Sequence, residues 1–182
     1  MAARIWVISD THFKHDNIYQ FIELDGRRVR ARFESACVAD AYMCERWRVL
    51  VRPEDHIYHL GDVTLARKSS ERAKFIELMS GLPGHKRLIR GNHDHFPTKT
   101  YLDAGFDEIY GTRKLGSFIL SHYPIHESSL PAWCRANVHG HIHTRTAPSA
   151  RHINVCVEVT DYEPVLLDGL QGIALPEDMG RG

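Results

Sequence analysis

KRLIRGNHDHF, residues 86–96, changes character at its centre. KRLIR reads as a short strand with apolar residues flanked by long basic ones, and it stops at Gly91-Asn92-His93-Asp94. A neutral amide, an imidazole and a carboxylate therefore stand side by side where a strand ends. The same change recurs along the chain. RIWVIS (4–9) stops at Asp10-Thr11-His12, HIYHL (56–60) at Gly61-Asp62, SFILS (117–121) at His122, and ANVHG (136–140) at His141-Ile142-His143.

Helical patterns lie between the first strands. Residues 33–51 place Cys37, Ala41, Cys44, Trp47 and Val51 at three- and four-residue spacings, and 70–79 reads as a second amphipathic helix with Ser69 or Ser70 as N-cap. Strands alternating with helices imply an α/β core. From residue 107 the strands follow one another closely, as EIYG, TRKLG, SFILSHY, ANVHG, HINVCVEV and EPVLLDG, and predict a second sheet. The expected architecture is two sheets stacked face to face with helices outside. A chain of 182 residues fits one domain over 1–182, with 13–33 as a cleft-wall loop and 175–182 as a frayed tail.

Composition narrows the function. Lys+Arg and Asp+Glu number 23 each, so no global basic field is present to hold long nucleic acid through its phosphates. Cys37, Cys44, Cys134 and Cys156 form no CxxC pair and read as reduced thiols. No cleavable signal pattern opens the chain, and no apolar run approaches the ~20 residues that span a bilayer. A soluble, cytoplasmic protein is expected.

Alone, a His or Asp at a strand end is usually a cap or a solvated turn. Together, the ordered ends supply carboxylate, imidazole and amide donors in a mixture suited to two divalent metals, and strand ends of an α/β sheet converge on one crevice. Other metal-site patterns fit less well. HIH at 141–143 would suit an amidohydrolase barrel, but that fold needs ~200 residues or more and carries its HxH on the first strand, where DTH stands. HExxH and HxHxDH are absent.

The series DTH, GD, GNHD, SH and GHIH resembles the calcineurin-like metallophosphoesterase family. The wording is most similar to its small single-domain bacterial and phage members, through ISDTHF (8–13), HLGDV (59–63), GNHD (91–94), LSHYP (120–124) and DYEPV (161–165). The resemblance implies the metallo-dependent phosphatase fold, an α/β four-layer αββα sandwich of two mixed sheets flanked by helices. It implies a binuclear centre in which Asp10, His12 and His143 hold one metal, Asn92, His122 and His141 the other, and Asp62 bridges both. Mn²⁺ is the first choice, with Fe²⁺, Co²⁺, Ni²⁺ and Zn²⁺ open.

In this scheme His93 projects over the site as the acid that protonates or stabilises the departing oxygen. Asp94, or a backbone carbonyl, fixes its tautomer and keeps it protonated; a turn cap is the alternative role for Asp94. Arg27, Arg28, Arg30 and Arg32 form either a solvated face or a cleft wall that attracts an anionic substrate, with Arg27 and Arg28 as candidate contacts. His95 and His126 are candidate residues at the mouth. GDVTLAR (61–67) lacks the GDxxDRG wording of protein phosphatases, and a chain this short leaves little room for the capping domains of double-strand-break nucleases. The expected activity is hydrolysis of small phosphodiesters, first a nucleotide such as a 2′,3′-cyclic one. The alternatives are phosphomonoester hydrolysis and a non-catalytic scaffold. No membrane or long nucleic-acid partner is expected, and the oligomeric state stays open.

Overall fold

The structure is a computed structural model that describes residues 2–22, 26 and 28–172. Arg27 and the 175–182 tail lie outside the described residues. Four parallel strands, β1 (Ile5–Ile8), β2 (His56–His59), β3 (His85–Ile89) and β4 (Phe106–Tyr110), form the first sheet in the order 4-3-2-1. The second sheet contains β5 (Thr112–Leu115), β6 (Phe118–Ser121), β7 (Ala136–His139) and β8 (His152–Asn154). They lie in chain order, with an antiparallel β5–β6 hairpin followed by two parallel pairings. A short ninth strand, β9 (Val165–Leu166), returns antiparallel to β1 and finishes the first sheet.

Two assignments from the sequence need correction. EIYG and EPVLLDG were expected in the second sheet, whereas β4 and β9 are the two edges of the first. A short helix, α3 (Thr98–Asp103), decides the case of β4: it carries the chain across the sheet so that β4 can run parallel to β3. Local spacing does not reveal this, because a six-residue helix has little periodicity to read. The chain changes sheets at Gly111, between β4 and β5.

Strand alternation sends side chains to two cores. On one face of the first sheet, Val7, Tyr58, Leu60 and Ile89 pack against Phe118, Leu120, Ala136, Val138 and Ile153 of the second sheet. On the other, Trp6, Ile8, Ile57, Leu88 and Phe106 pack against Met43 and Trp47 of α1 (Ala36–Leu50), Phe75 and Met79 of α2 (Ser69–Ser80), and Tyr101 of α3. Ser35 caps α1, its Oγ accepting the Val38 N–H at 3.3 Å. The cap of α2 lies at Lys68, so both serines are inside the helix. The Glu71 carboxylate takes the N–H groups of Arg67 and Lys68 at 3.2 and 3.0 Å and draws the helix start back.

The outer face of the second sheet is polar and covered. Asn137 accepts the Ile125 N–H at 2.8 Å and donates to Ile119 O and Ser121 Oγ, while His152 Nε2 lies 2.7 Å from Ile125 O. The cover is the segment following β6, with one short 3-10 turn (Glu127–Ser129), and no α-helix among the described residues lies there. No helix among them is long and apolar enough to cross a membrane. Phe118 is buried between the sheets, so Phe118→Ala is expected to cost about 3–5 kcal/mol in urea denaturation with the slope unchanged.

Candidate metal centre

The parallel arrangement of β1, β2 and β3, and of β6 and β7, brings their C-terminal ends together. The two loops that leave β1 and β2 hold each other through Asp10 N–H to Gly61 O and His12 N–H to Asp62 O, both at 3.0 Å. Asp10, His12, Asp62, His141 and His143 all have φ between 47° and 69°. Residues with a Cβ enter this left-handed region at a cost of about 1–2 kcal/mol each, so the loops are over-determined by their cross-links.

The two oxygens of Asp10 are used differently. Oδ2 accepts from Ser9 Oγ at 2.6 Å, His141 N–H at 2.8 Å and Cys156 Sγ at 3.2 Å. Oδ1 is buried without a hydrogen-bond partner, 3.8 Å from both His12 Nε2 and His143 Nε2. Gly140 makes this possible. A Cβ there would stand 2.0 Å from Ser9 Oγ and 2.3 Å from Asp10 Oδ2.

Asp62, His122 and His141 form a second group with the same close convergence as Asp10, His12 and His143: within each, the donor atoms lie within 4.8 Å of one another. Asp62 Oδ1 accepts the His93 N–H at 2.8 Å, while Oδ2 lies 3.5 Å from His122 Nε2 and 3.8 Å from His12 Nε2, so one oxygen faces both groups. His122 Nδ1 lies 2.8 Å from Leu60 O, which can only accept, so the proton sits on Nδ1 and Nε2 offers a lone pair. That lone pair faces Asn92 Oδ1 at 2.9 Å. Two acceptors meeting in this way, with the orphaned Asp10 oxygen, fit a cation. Burial drives the Asp62 carboxyl up against the opposing pull of His122, and Asp10 adds to the rise. A cation bound there would offset both the desolvation of the Asp62 carboxylate and its repulsion by Asp10.

A sequence profile of the calcineurin-like phosphoesterases matches residues 3–165. The chain belongs to this family. Members of this family of phosphoester hydrolases generally bind two divalent metals, in keeping with the two groups of donors. The chain is 33% identical over 174 residues to the Methanocaldococcus jannaschii protein called uncharacterized protein MJ1445, covering 91% of this chain and 88% of that one. It is 31% identical over 104 residues to the gene 66 protein of Mycobacterium phage D29, of which it covers 45%. Among solved structures, the Aquifex aeolicus protein of unknown function AQ665 superposes with a TM-score of 0.70 at 29% identity, over 95% of this chain and all (100%) of that one. The Pseudomonas putida nuclease MPE superposes with a TM-score of 0.50 at 20% identity, over 77% of this chain and 62% of that one, and shares the fold.

Two residues that support the donor groups escape the sequence reading. Glu158, in the 3-10 turn Val157–Val159, places Oε1 3.1 Å from His143 Nδ1 and 2.8 Å from Arg30 Nε. Contact with the carboxylate favours the Nδ1 proton and turns Nε2 of His143 towards Asp10. The Arg30 guanidinium also donates to Thr11 O at 2.8 Å and Asp10 O at 2.5 Å, with its side chain fully buried. Arg30 is therefore a strut beneath the DTH loop and neither a solvated charge nor a substrate contact. Arg32 is exposed and pairs with Asp161 and Tyr42, and Arg28 is exposed. A lone acid within the apolar run VCVEV was the available signal for Glu158; nothing in RRVRAR singles out Arg30.

The role expected of Asp94 is also corrected. Its Oδ2 accepts the N–H groups of Asp62 at 2.9 Å and Gly91 at 2.8 Å, and its Oδ1 that of Val63 at 3.0 Å. Tyr101 adds a longer contact at 3.4 Å. With both oxygens so engaged, Asp94 clamps two loops together and has no bond to the His93 ring; the turn-cap alternative describes it. The His93 ring is partly exposed, with Nε2 4.0 Å from Asp62 Oδ2. Burial, then His95, Arg67 and His122, push its pKa below the ordinary 6.5. His95 is exposed, 6.0 Å from His93 between ring centroids. His126 caps the turn at 127–129, its Nδ1 lying 2.8 Å from Ser128 Oγ and accepting the Ser128 N–H. His59 is buried and, lowered by that burial to about 3, accepts the Gly61 N–H at 3.2 Å as a neutral ring.

The Arg30–Glu158 pair generates a pH prediction. Burial raises the Glu158 carboxyl, but Arg30 and His143 outweigh it and hold the group at about 2 against an ordinary 4.5. A depressed carboxyl stabilises the fold fully above 4.5 and loses that contribution as pH falls towards 2. The stability gap between wild type and Glu158→Gln is expected to close across this window in denaturant titrations. Arg30→Ala, which strands the buried carboxylate, is expected to cost about 3–5 kcal/mol at pH 7.

Proposed function

We propose that the chain is a binuclear-metal-dependent phosphoesterase acting on small phosphodiesters, with nucleotide diesters such as 2′,3′-cyclic nucleotides as the leading substrates. The observation that carries this reading is the pair of convergent donor groups, with Asp62 Oδ2 facing both and Asp10 Oδ1 left without a partner between two imidazoles. Asp10, His12 and His143 would hold one divalent ion, Asn92, His122 and His141 the other, with Asp62 shared. Bound there, the two ions supply Lewis acidity to the phosphoryl group and bring the pKa of water towards neutral. No thiolate takes part, since the one nearby thiol, Cys156, is buried and its Sγ donates to Asp10 Oδ2. Carboxylate, imidazole and amide donors suit Mn²⁺ as well as Fe²⁺, Co²⁺, Ni²⁺ or Zn²⁺, and Mn²⁺ is the first choice for assay.

The chain's own groups then have distinct tasks. The Leu60 carbonyl, Glu158 and the three donors on Asp10 orient the ligand atoms before substrate arrives. His93 is the group for the departing oxygen. Its backbone is fixed by Asp62, and its ring offers an N–H that can protonate the departing oxygen or stabilise its developing charge by hydrogen bonding.

A panel of diester and monoester substrates with added Mn²⁺ tests the reading: diester turnover abolished by a chelator supports it, and monoester turnover alone would replace it with the phosphatase alternative. Elemental analysis is expected to find two metals per chain, falling in Asp62→Asn together with activity. Full loading and full activity in that variant would remove Asp62 from the shared position. His93→Ala is expected to retain both metals and lose about 10²–10⁴-fold in kcat on alkyl or ribose leaving groups, with a smaller loss on nitrophenyl esters. Equal losses on both, or loss of metal, would make His93 a structural or ligand residue.

A further inference from the structure

We propose that an apolar cavity beside the donor groups seats a flat aromatic ring on the non-departing side of the phosphoester, a nucleobase or an aryl group. This rests on the phosphoesterase reading and names the part of the substrate that selects it. The cavity measures about 510 Å³, within the range that encloses a small organic molecule and far below what a docked helix or second chain needs. His12, His93 and His143 form one side, so a group seated there is attached to whatever lies at the donor site. The remaining surface is mostly hydrocarbon: Ile18, Phe21, Ile22 and Val29 come from the 13–33 segment, and Leu65 and Ile142 from the two ligand loops opposite.

The apolar wall is built rather than incidental. Phe21 O accepts the Val29 N–H at 2.9 Å and Ile22 bridges to Arg28, so backbone bonds hold the two sides of this segment together. Phe21 and Ile22 are nevertheless 55% and 67% exposed, an unfavourable state for large apolar side chains that a ring in the cavity would improve. Phe21 stands with its ring centroid 6.1 Å from that of His15, within the range of aromatic contacts that favour flat partners. Arg145 is the cation among the lining residues, and its Nε donates to Ile142 O at 3.3 Å. Ile142 links the cavity to the chemistry through the chain itself, because it lies between His141 and His143.

The test uses three Mn²⁺-dependent substrates with the same nitrophenol leaving group and a methyl, phenyl or thymidine-5′ group on the other ester oxygen. Expected is a kcat/KM at least about tenfold higher for the two ring-bearing diesters than for the methyl one, expressed mainly in KM. Phe21→Ala and Leu65→Ala should each reduce that ratio several-fold, and the exposure of Phe21 makes its variant compatible with folding. A thymidine value above the phenyl one assigns the occupant as a nucleoside, and equal values assign the ring alone. Equal kcat/KM for all three, or a ring preference that survives both substitutions, overturns the proposal. Calorimetric titration with phenylphosphonate and methylphosphonate separates this from failure of the parent reading. If no diester is hydrolysed, the diesterase reading falls. Tighter phenylphosphonate binding, lost in Phe21→Ala, would still support the cavity, and equal binding of the two phosphonates would overturn it.

Discussion

The Asp10 carboxylate joins elements that lie far apart in the chain: Oδ2 gathers Ser9 at the end of β1, the His141 amide beyond β7 and the Cys156 thiol beyond β8. These contacts pin the first sheet to the second where both end. The same bonds leave Oδ1 free of partners between His12 and His143. Structural and chemical duties are therefore divided between two oxygens of one side chain. The division depends on a backbone approach at Gly140 that no side chain would permit.

Around this contact the protein balances charge by burying compensating pairs. Arg30 and Glu158 are both buried, and the guanidinium also satisfies the carbonyls of Asp10 and Thr11. A buried ion pair rarely adds much stability over an apolar one of the same shape, so its value here is geometric. It sets the orientation of His143 and supports a loop whose residues occupy the left-handed region. Asp94 serves the second half of the site by gathering the amides of Gly91, Asp62 and Val63. The loops are thus stiff before any ligand arrives, as convergent metal donors require.

Charge and apolar surface are separated around the proposed centre. The arginines of the 13–33 segment that the structure describes face inward to the carbonyls or outward to solvent and Asp161, while Ile18, Phe21, Ile22 and Val29 face the cavity. With no net charge to attract polyanions, discrimination among small phosphoesters would fall to the metals for the phosphoryl group and to hydrocarbon for the organic part.

The sequence by itself determined the strand ends and the donor types placed there, because a strand that stops at Asp, His or Asn declares itself through local alternation and a sudden polar cluster. It also determined both long helices, whose periodicity spans several turns. Tertiary structure alone decided which sheet received β4 and β9, since strand pairing depends on how the chain crosses the sheet and not on the strand's own residues. It decided that Asp94 clamps loops, that Arg30 lies beneath the DTH loop and that Glu158 reaches His143. These roles follow from partners 15 to 128 positions apart, a separation that local spacing does not register. Long-range contact, set by the packing of two sheets, is the physical quantity that local pattern does not contain.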